Sequence, residues 1–350
     1  MKSVARVELT PGMILAEDIV YQGEVIFPKN TVLNAGMIER MKNYSIVCAT
    51  ILEGVDLAKT HNERLHFSED FKNFEKKHAE NLLRYRLLMQ NFLVNDQLIP
   101  EEALLSIYDD MFSTYTYSSE LLDFLYNLTP NEDELTYNHC LNSALLAGSL
   151  ADWVRMPEDE KRLLILCGFY YDIGKLKLPY DILWKPDKLT PEEFELVKKH
   201  PVIGYALLKN KPIDEHIKNA VIMHHERMDG TGYPYHMKTT KIDMYARYVA
   251  MIDTYIAMAS PRSYRSAFTP LQILGHFESS LVKYDMELLL PLMKRIGDAQ
   301  IGSTVQLNDG SVWEVFIINT SSYARPLLKN EKSEFLNLTD RRDLKIVKNL

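Results

Sequence analysis

The chain of 350 residues has only three cysteines, Cys48, Cys140 and Cys167, and none sits in a Cys-x-x-Cys spacing. That excludes a disulfide framework and a zinc knuckle; Cys140 and Cys167 lie in apolar stretches and read as small core residues. No run approaches 18 apolar residues, so no membrane span is expected. The first residues lack a basic segment followed by an apolar stretch. No signal peptide is therefore expected, and the chain reads as soluble and cytoplasmic. Basic excess is missing too: a net charge of -8 and a pI near 5.7 argue against a surface for nucleic acid polymers. There is no internal repeat, heptad array or low-complexity tract.

With 46% apolar residues the chain can bury a full core, and its length fits two or three domains. Residues 1–57 read as a small β-rich module, with a turn at Leu9-Thr10-Pro11-Gly12-Met13 and short strands at Val25-Ile26-Phe27 and Ile46-Val47-Cys48. Residues 58–127 read as a helical connecting region. Leu82, Leu83, Tyr85, Leu87, Leu88, Phe92 and Leu93 outline one amphipathic helix there, and Leu104, Leu105, Ile107, Tyr108 and Met111 another. Their expected role is to join the modules, with homodimerisation as a further expectation. Residues 128–298 read as mainly α, the clearest helices being 141–154, 161–171, 191–208, 217–224 and 246–259. Residues 299–350 return to β pattern, and Asn308-Asp309-Gly310 between two alternating runs signals a hairpin. Both ends are expected to pack together as one β module without chemistry of its own; a sensor of an unidentified signal is the sharper alternative.

His224-His225-Glu226-Arg227-Met228-Asp229-Gly230-Thr231-Gly232-Tyr233-Pro234 is the most informative segment. Adjacent histidines on a helix face different ways, so a pair at a helix end can serve two metals, or a metal and its surroundings. The glycines permit a tight loop and Pro234 fixes its exit. Other segments add His139, Asp172, His200 and Asp253, each flanked by apolar residues. Burying so many carboxylates and imidazoles is unfavourable unless they pair or bind metal. Any one of them alone reads more readily as an ordinary core or surface residue; the six together do not. Imidazole with carboxylate suits Fe, Mn, Zn, Ni or Co rather than Ca or Mg. A bridging carboxylate, for which Asp172 is the candidate, would let two ions sit about 3.5–4 Å apart.

These segments resemble the HD-GYP family, the branch of the HD phosphohydrolase superfamily that hydrolyses cyclic di-GMP. The resemblance runs from about Thr136 to Ile296. It rests on Asp172-Ile173-Gly174-Lys175, Ile182 to Glu193, His200-Pro201-Val202-Ile203-Gly204, His224 to Pro234 and Asp253 to Met258. It implies an all-helical HD-GYP domain with small β-rich segments at both termini, holding two transition-metal ions, Fe or Mn. Asp172 would bridge them, His139 and Asp253 completing one side and His200, His224 and His225 the other. The implied reaction is hydrolysis of cyclic di-GMP to pGpG, with slower cutting onward to GMP. Lys175, whose alternative is a solvated helix-end lysine, would reach a substrate phosphate; Lys185, Arg262 and Arg265 are further phosphate candidates. Tyr233, in the Gly232-Tyr233-Pro234 loop, would lie by the guanine or form a surface for diguanylate cyclases. His61, His66, His78, His216, His236 and His276 read as ordinary surface or packing residues.

Two departures from the family pattern matter. Leu135 stands where three-metal relatives carry a Glu, and Glu134 is rotated about 100° off the ligand face, so a third ion is not expected. Tyr171 stands where the family has a His immediately before the bridging Asp. Its phenol, with a reference pKa near 10, ligates well only if a metal drives deprotonation, as tyrosinate does for iron elsewhere. The alternative function is therefore a catalytically weakened protein acting as a metal- and nucleotide-binding sensor. A scaffold using the Gly-Tyr-Pro loop is a third reading.

Overall fold

The computed structural model describes residues 2–350 except 11–12, 22–23, 30, 32, 34–36, 39–40, 43, 45, 53–64, 66–67, 113–119, 129–134, 184, 186 and 261–266. It divides into two compact units, residues 1–74 with 349–350, and residues 75–348.

In the first unit β1 (Lys2–Ala5) pairs antiparallel with the later strand Cys48–Ile51, and β2 (Ile19–Tyr21) pairs with β3 (Glu24–Phe27). Cys48–Ile51 is β4. Alternation places Val4, Ala49 and Ile51 inward, where they meet Leu15, Phe27, Leu33 and Met41 in one apolar cluster. The strand expected at residues 46–48 thus begins at Cys48. The expected boundary near residue 57 lies outside the described residues.

From residue 69 onward come the helices α1 (Glu69–Asn95), α2 (Glu101–Phe112) and α3 (Glu120–Asn127). In α1, Leu82, Tyr85, Met89 and Phe92 are buried, while Leu83 and Leu87 point to solvent despite their place in the expected apolar face. The next helix, α4 (Leu135–Trp153), is buried without interruption from Asn138 to Ala151. A helix buried on every face lies inside the bundle, here with polar residues such as His139, Asn142 and Ser143 turned inward as well. Its main neighbour is α5 (Glu158–Tyr170), and α2 and α3 also pack on it. Of residues 58–127, expected as a connecting region, 75–127 fall in the same compact unit as α4 and α5.

Beyond α5 a 3-10 turn (Ile173–Lys177) follows Asp172, then come α6 (Tyr180–Leu183), α7 (Pro191–Val197), α8 (His200–Leu208), α9 (Glu215–Met223) and α10 (Met244–Ala259). Thr190 caps α7 through a reciprocal pair with Glu193, and Asp214 and Asp243 cap α9 and α10. The single helix expected over 191–208 is broken at Lys198 and Lys199. Pro201 is the cause: it lacks the N–H that would bond the Val197 carbonyl, and its ring would crowd that carbonyl in an unbroken helix. The turn at 173–177 packs on α8, α8 on α9, α9 on α10, and α10 on α4. Their facing ends enclose the site.

After α11 (Pro270–Ser279) and α12 (Met286–Ala299) the chain forms a sheet in the order β8-β7-β6-β5-β9. The strands are β5 (Thr304–Leu307), β6 (Val312–Ile317), β7 (Leu327–Lys329), β8 (Phe335–Asn337) and β9 (Ile346–Asn349). The expected hairpin is present, with Gly310 at φ 84°, but it is only part of a five-stranded sheet. Among the described residues each sheet takes its strands from one end of the chain.

Candidate metal centre

Asp172 is fully buried at the end of α5, and its neighbours arrive from four other elements. Two groups share it. Asp172, His200, His224 and His225 form one, and His139, Asp172 and Asp253 the other; in each group the candidate ligand atoms lie within 4.8 Å of one another. Oδ1 of Asp172 is 3.2 Å from His200 Nε2 and 3.5 Å from His224 Nε2. Oδ2 is 3.8 Å from His139 Nε2 and 2.6 Å from the Lys175 ammonium. His139 Nε2 is 2.8 Å from Asp253 Oδ1, and His225 Nδ1 is 3.9 Å from Asp253 Oδ2. All six sequence candidates thus converge.

Glycines make the approach possible. A Cβ on Gly174 would run into the His200 carbonyl and sit 2.7 Å from the Gly204 nitrogen. One on Gly204 would sit 2.7 Å from Val221 Cγ1. The turn after Asp172 can therefore lie directly on α8, which brings His200 to Asp172.

The tautomers of two imidazoles follow from helix ends. His200 Nδ1 donates to the Val197 carbonyl at 2.7 Å, and His224 Nδ1 to the Val221 carbonyl at 2.9 Å. In a neutral ring that leaves Nε2 as a bare lone pair. The two Nε2 atoms are 3.1 Å apart, and Asp172 Oδ1 beside them is buried without a hydrogen-bond donor. Three lone pairs crowded together in a buried pocket repel unless a cation lies between them. The donor set therefore fits a transition metal.

Charge in the pocket is arranged accordingly. Burial opposes ionisation of Asp172, but its surroundings, the Lys175 ammonium foremost, outweigh it and hold the carboxyl well below the ordinary range. Asp253 is likewise held low against its burial by His139, His225 and Lys175. Burial lowers His200 despite Asp172, and lowers His225 strongly with help from its neighbour His224. Deprotonated imidazole and ionised carboxylate are the ligating forms.

Tyr171 is also completely buried here. Its hydroxyl is 3.0 Å from Ser143 Oγ and 3.4 Å from Asp253 Oδ1, and its ring meets His224 edge-on at 4.9 Å. Burial, then Asp172 and Asp253, push the phenol well above its usual pKa. Tyr233 stacks on His225 at 4.6 Å with Lys198 over its ring. Lys185 is engaged by Glu193 at 2.7 Å. Arg262 and Arg265 lie outside the described residues.

Glu226 was not singled out in the sequence. It is 2% exposed and accepts from the Tyr235 and Met237 amides at 2.6 and 2.9 Å, which ties the Gly232-Tyr233-Pro234 loop to the end of α9. His78, placed among ordinary histidines, is buried and 2.7 Å from Asn142 of α4. Neither partner is close in sequence, so no local signal marks the pairing.

Residues 123–288 match the family described as HD domain. The chain is 32% identical over 198 residues to the cyclic di-GMP phosphodiesterase PA4108 of Pseudomonas aeruginosa, covering 56% of this chain and 48% of that protein. It is 34% identical over 200 residues to the cyclic di-GMP phosphodiesterase of Thermotoga maritima, covering 54% of each. The chain thus spans about half the length of these curated relatives. A solved structure, the HDG"Y"P protein Bd1817 from Bdellovibrio bacteriovorus, is similar with a TM-score of 0.48 at 16% identity, covering 85% of this chain and 98% of that one. Among the described residues no helix is long and apolar enough to cross a membrane.

Proposed function

Residues 123–288 form an HD domain of the HD-GYP family, and we propose that this chain is a metal-dependent phosphodiesterase that opens cyclic di-GMP to pGpG. The observation that carries the reading is the shared carboxylate: Asp172 belongs to both buried ligand groups. His200, His224 and His225 would hold one ion with Asp172, and His139 and Asp253 the other. Fe and Mn suit this mixture of imidazole and carboxylate. Bound ions would supply an activated water and stabilise charge developing on the phosphorus.

The chain's own residues do the rest. Lys175, next to Asp172 at 2.6 Å, places a positive charge where a substrate phosphate would approach, and a metal at Asp172 would release its ammonium for that contact. Tyr233 walls the pocket over His225 and offers a ring face to a guanine. Arg262 and Arg265 serve as further phosphate contacts in this proposal. The Gly-Tyr-Pro loop is also the proposed surface for diguanylate cyclases, and the setting is cytoplasmic. In this proposal residues 128–298 carry the metal chemistry, residues 1–57, 58–127 and 299–350 being further modules, of which 1–57 is the candidate for receiving a signal.

One observation favours a second reading. A protonated phenol at Tyr171 supplies no ligand nitrogen, so the position bounded by His139, Asp172 and Asp253 binds its ion more weakly, and the protein acts as a metal- and nucleotide-binding sensor. Turnover of cyclic di-GMP by protein of measured metal content, reconstituted with Mn or Fe, decides between them. Release of pGpG at a rate rising with metal supports the enzyme. Nucleotide binding without product supports the sensor, and neither would remove both.

A further inference from the structure

We propose that Pro201 is a positioning residue of the metal centre: by withholding an N–H from the Val197 carbonyl, it leaves that carbonyl to His200 Nδ1 and thereby aims a bare His200 Nε2 at Asp172. The inference rests on the metal-centre reading and extends it to a residue that touches no ligand atom.

The geometry is direct. In a continuous helix the Val197 carbonyl would accept from the backbone N–H of residue 201, four positions on. Proline has no such N–H, and its ring crowds the same carbonyl. The helix accordingly stops at Val197 and restarts at His200, with Pro201 in the first turn of α8 where proline is tolerated. The vacated carbonyl takes the His200 Nδ1 proton at 2.7 Å. That one bond fixes both the tautomer and the ring plane. It leaves Nε2 at 3.2 Å from Asp172 Oδ1 and 3.1 Å from His224 Nε2. His224 reaches the same state without a proline. The end of α9 at Met223 vacates the Val221 carbonyl, which His224 Nδ1 takes at 2.9 Å. Val197 is the last residue of α7, and that end exists because Pro201 cannot extend it: in one helix over 191–208 the amide of residue 201 would occupy the Val197 carbonyl.

Pro201→Ala and Pro201→Gly both restore the N–H. In full-length protein, with folding checked by circular dichroism and thermal melting, Mn(II) affinity is measured by chelator competition. The His200 tautomer is read from imidazole ¹⁵N shifts in metal-free protein, and exchange protection is read at the new amide. The expected result is a protected amide at 201, loss of the single His200 tautomer, and Mn(II) affinity lower by about 10-fold or more, as for other partners that orient a ligand. An unchanged tautomer or unchanged affinity in folded variants overturns the proposal. So does failure of both variants to fold, which would make Pro201 a requirement of the fold. Wild-type protein that binds no Mn(II) or Fe(II) removes the metal-centre reading itself, a distinct result.

Discussion

Nε2 of His200 and Nε2 of His224, two buried side chains, face each other at 3.1 Å. Each ring donates its Nδ1–H to a backbone carbonyl at a helix end. Two lone pairs that close cannot bond to each other, and the carboxylate oxygen beside them adds a third. The pair is thus preorganised for a cation, which removes most of the ordering cost of binding one.

Tyr171→His should add a nitrogen beside His139 and Asp253. The expected outcome is tighter binding of the second equivalent of Mn(II), by at least the ~10-fold typical of changes around a metal ligand, with turnover rising in parallel. Tyr171→Phe should leave the first equivalent unchanged. Metal titration followed by a pGpG assay checks both. An absorption band in ferric protein that vanishes in Tyr171→Phe would instead identify tyrosinate as a ligand.

Lys175→Met separates metal binding from catalysis. The ammonium neutralises Asp172 at 2.6 Å, so its removal leaves the carboxylate freer for metal and should preserve or raise metal content. Turnover should fall by about 10²-fold or more, as when one donor to developing charge is lost. Elemental analysis beside steady-state kinetics reads the two effects; parallel loss of both would place Lys175 in the structural support of Asp172 alone.

Folding stability of metal-free protein should decrease as pH falls below about 6.5. Burial holds His225 well below, and His200 below, that ordinary value. The unfolded chain therefore takes up these protons first, and stability is lost progressively until the folded groups protonate too. Thermal melts from pH 8 to pH 5 should show this slope, and His225→Gln should reduce it. An unchanged slope in His225→Gln would show that His225 does not cause it.

Gly232→Ala should disturb the loop without removing a ligand side chain. Its Cβ would collide with the Arg227 nitrogen, Glu226 Cα and the His225 carbonyl. Chemical denaturation should register about 1–3 kcal/mol of destabilisation, the usual cost of forcing an extra methyl into a packed site. Activity should drop further than stability, because Tyr233 shifts from its stack on His225.

Helix positions in the core were readable from apolar spacing, as at α5 and α10, because burial of one face leaves a periodic trace. The hairpin at residues 304–317 was readable from its Asn-Asp-Gly turn. The break between α7 and α8 was not inferred, although Pro201 was in plain view among apolar residues. Nor was the place of β7, β8 and β9 beside that hairpin; β9 reaches β5 across the whole segment, and such pairing leaves no local signature. Leu83 and Leu87 looked like core and face solvent, because periodicity gives a stripe without fixing its edges.

The sequence by itself determined the chemistry available: imidazoles and carboxylates on separate apolar segments, a tyrosine before the central aspartate, and glycines where backbones must meet. Residue type and spacing are local properties, and a chain carries them unfolded. Only the tertiary structure decided that five of these side chains meet around the carboxylate of Asp172. It also decided that helix ends set the imidazole tautomers and that Glu226 anchors the loop. Those outcomes depend on distances between segments far apart in the chain, which are fixed when helices pack and not before.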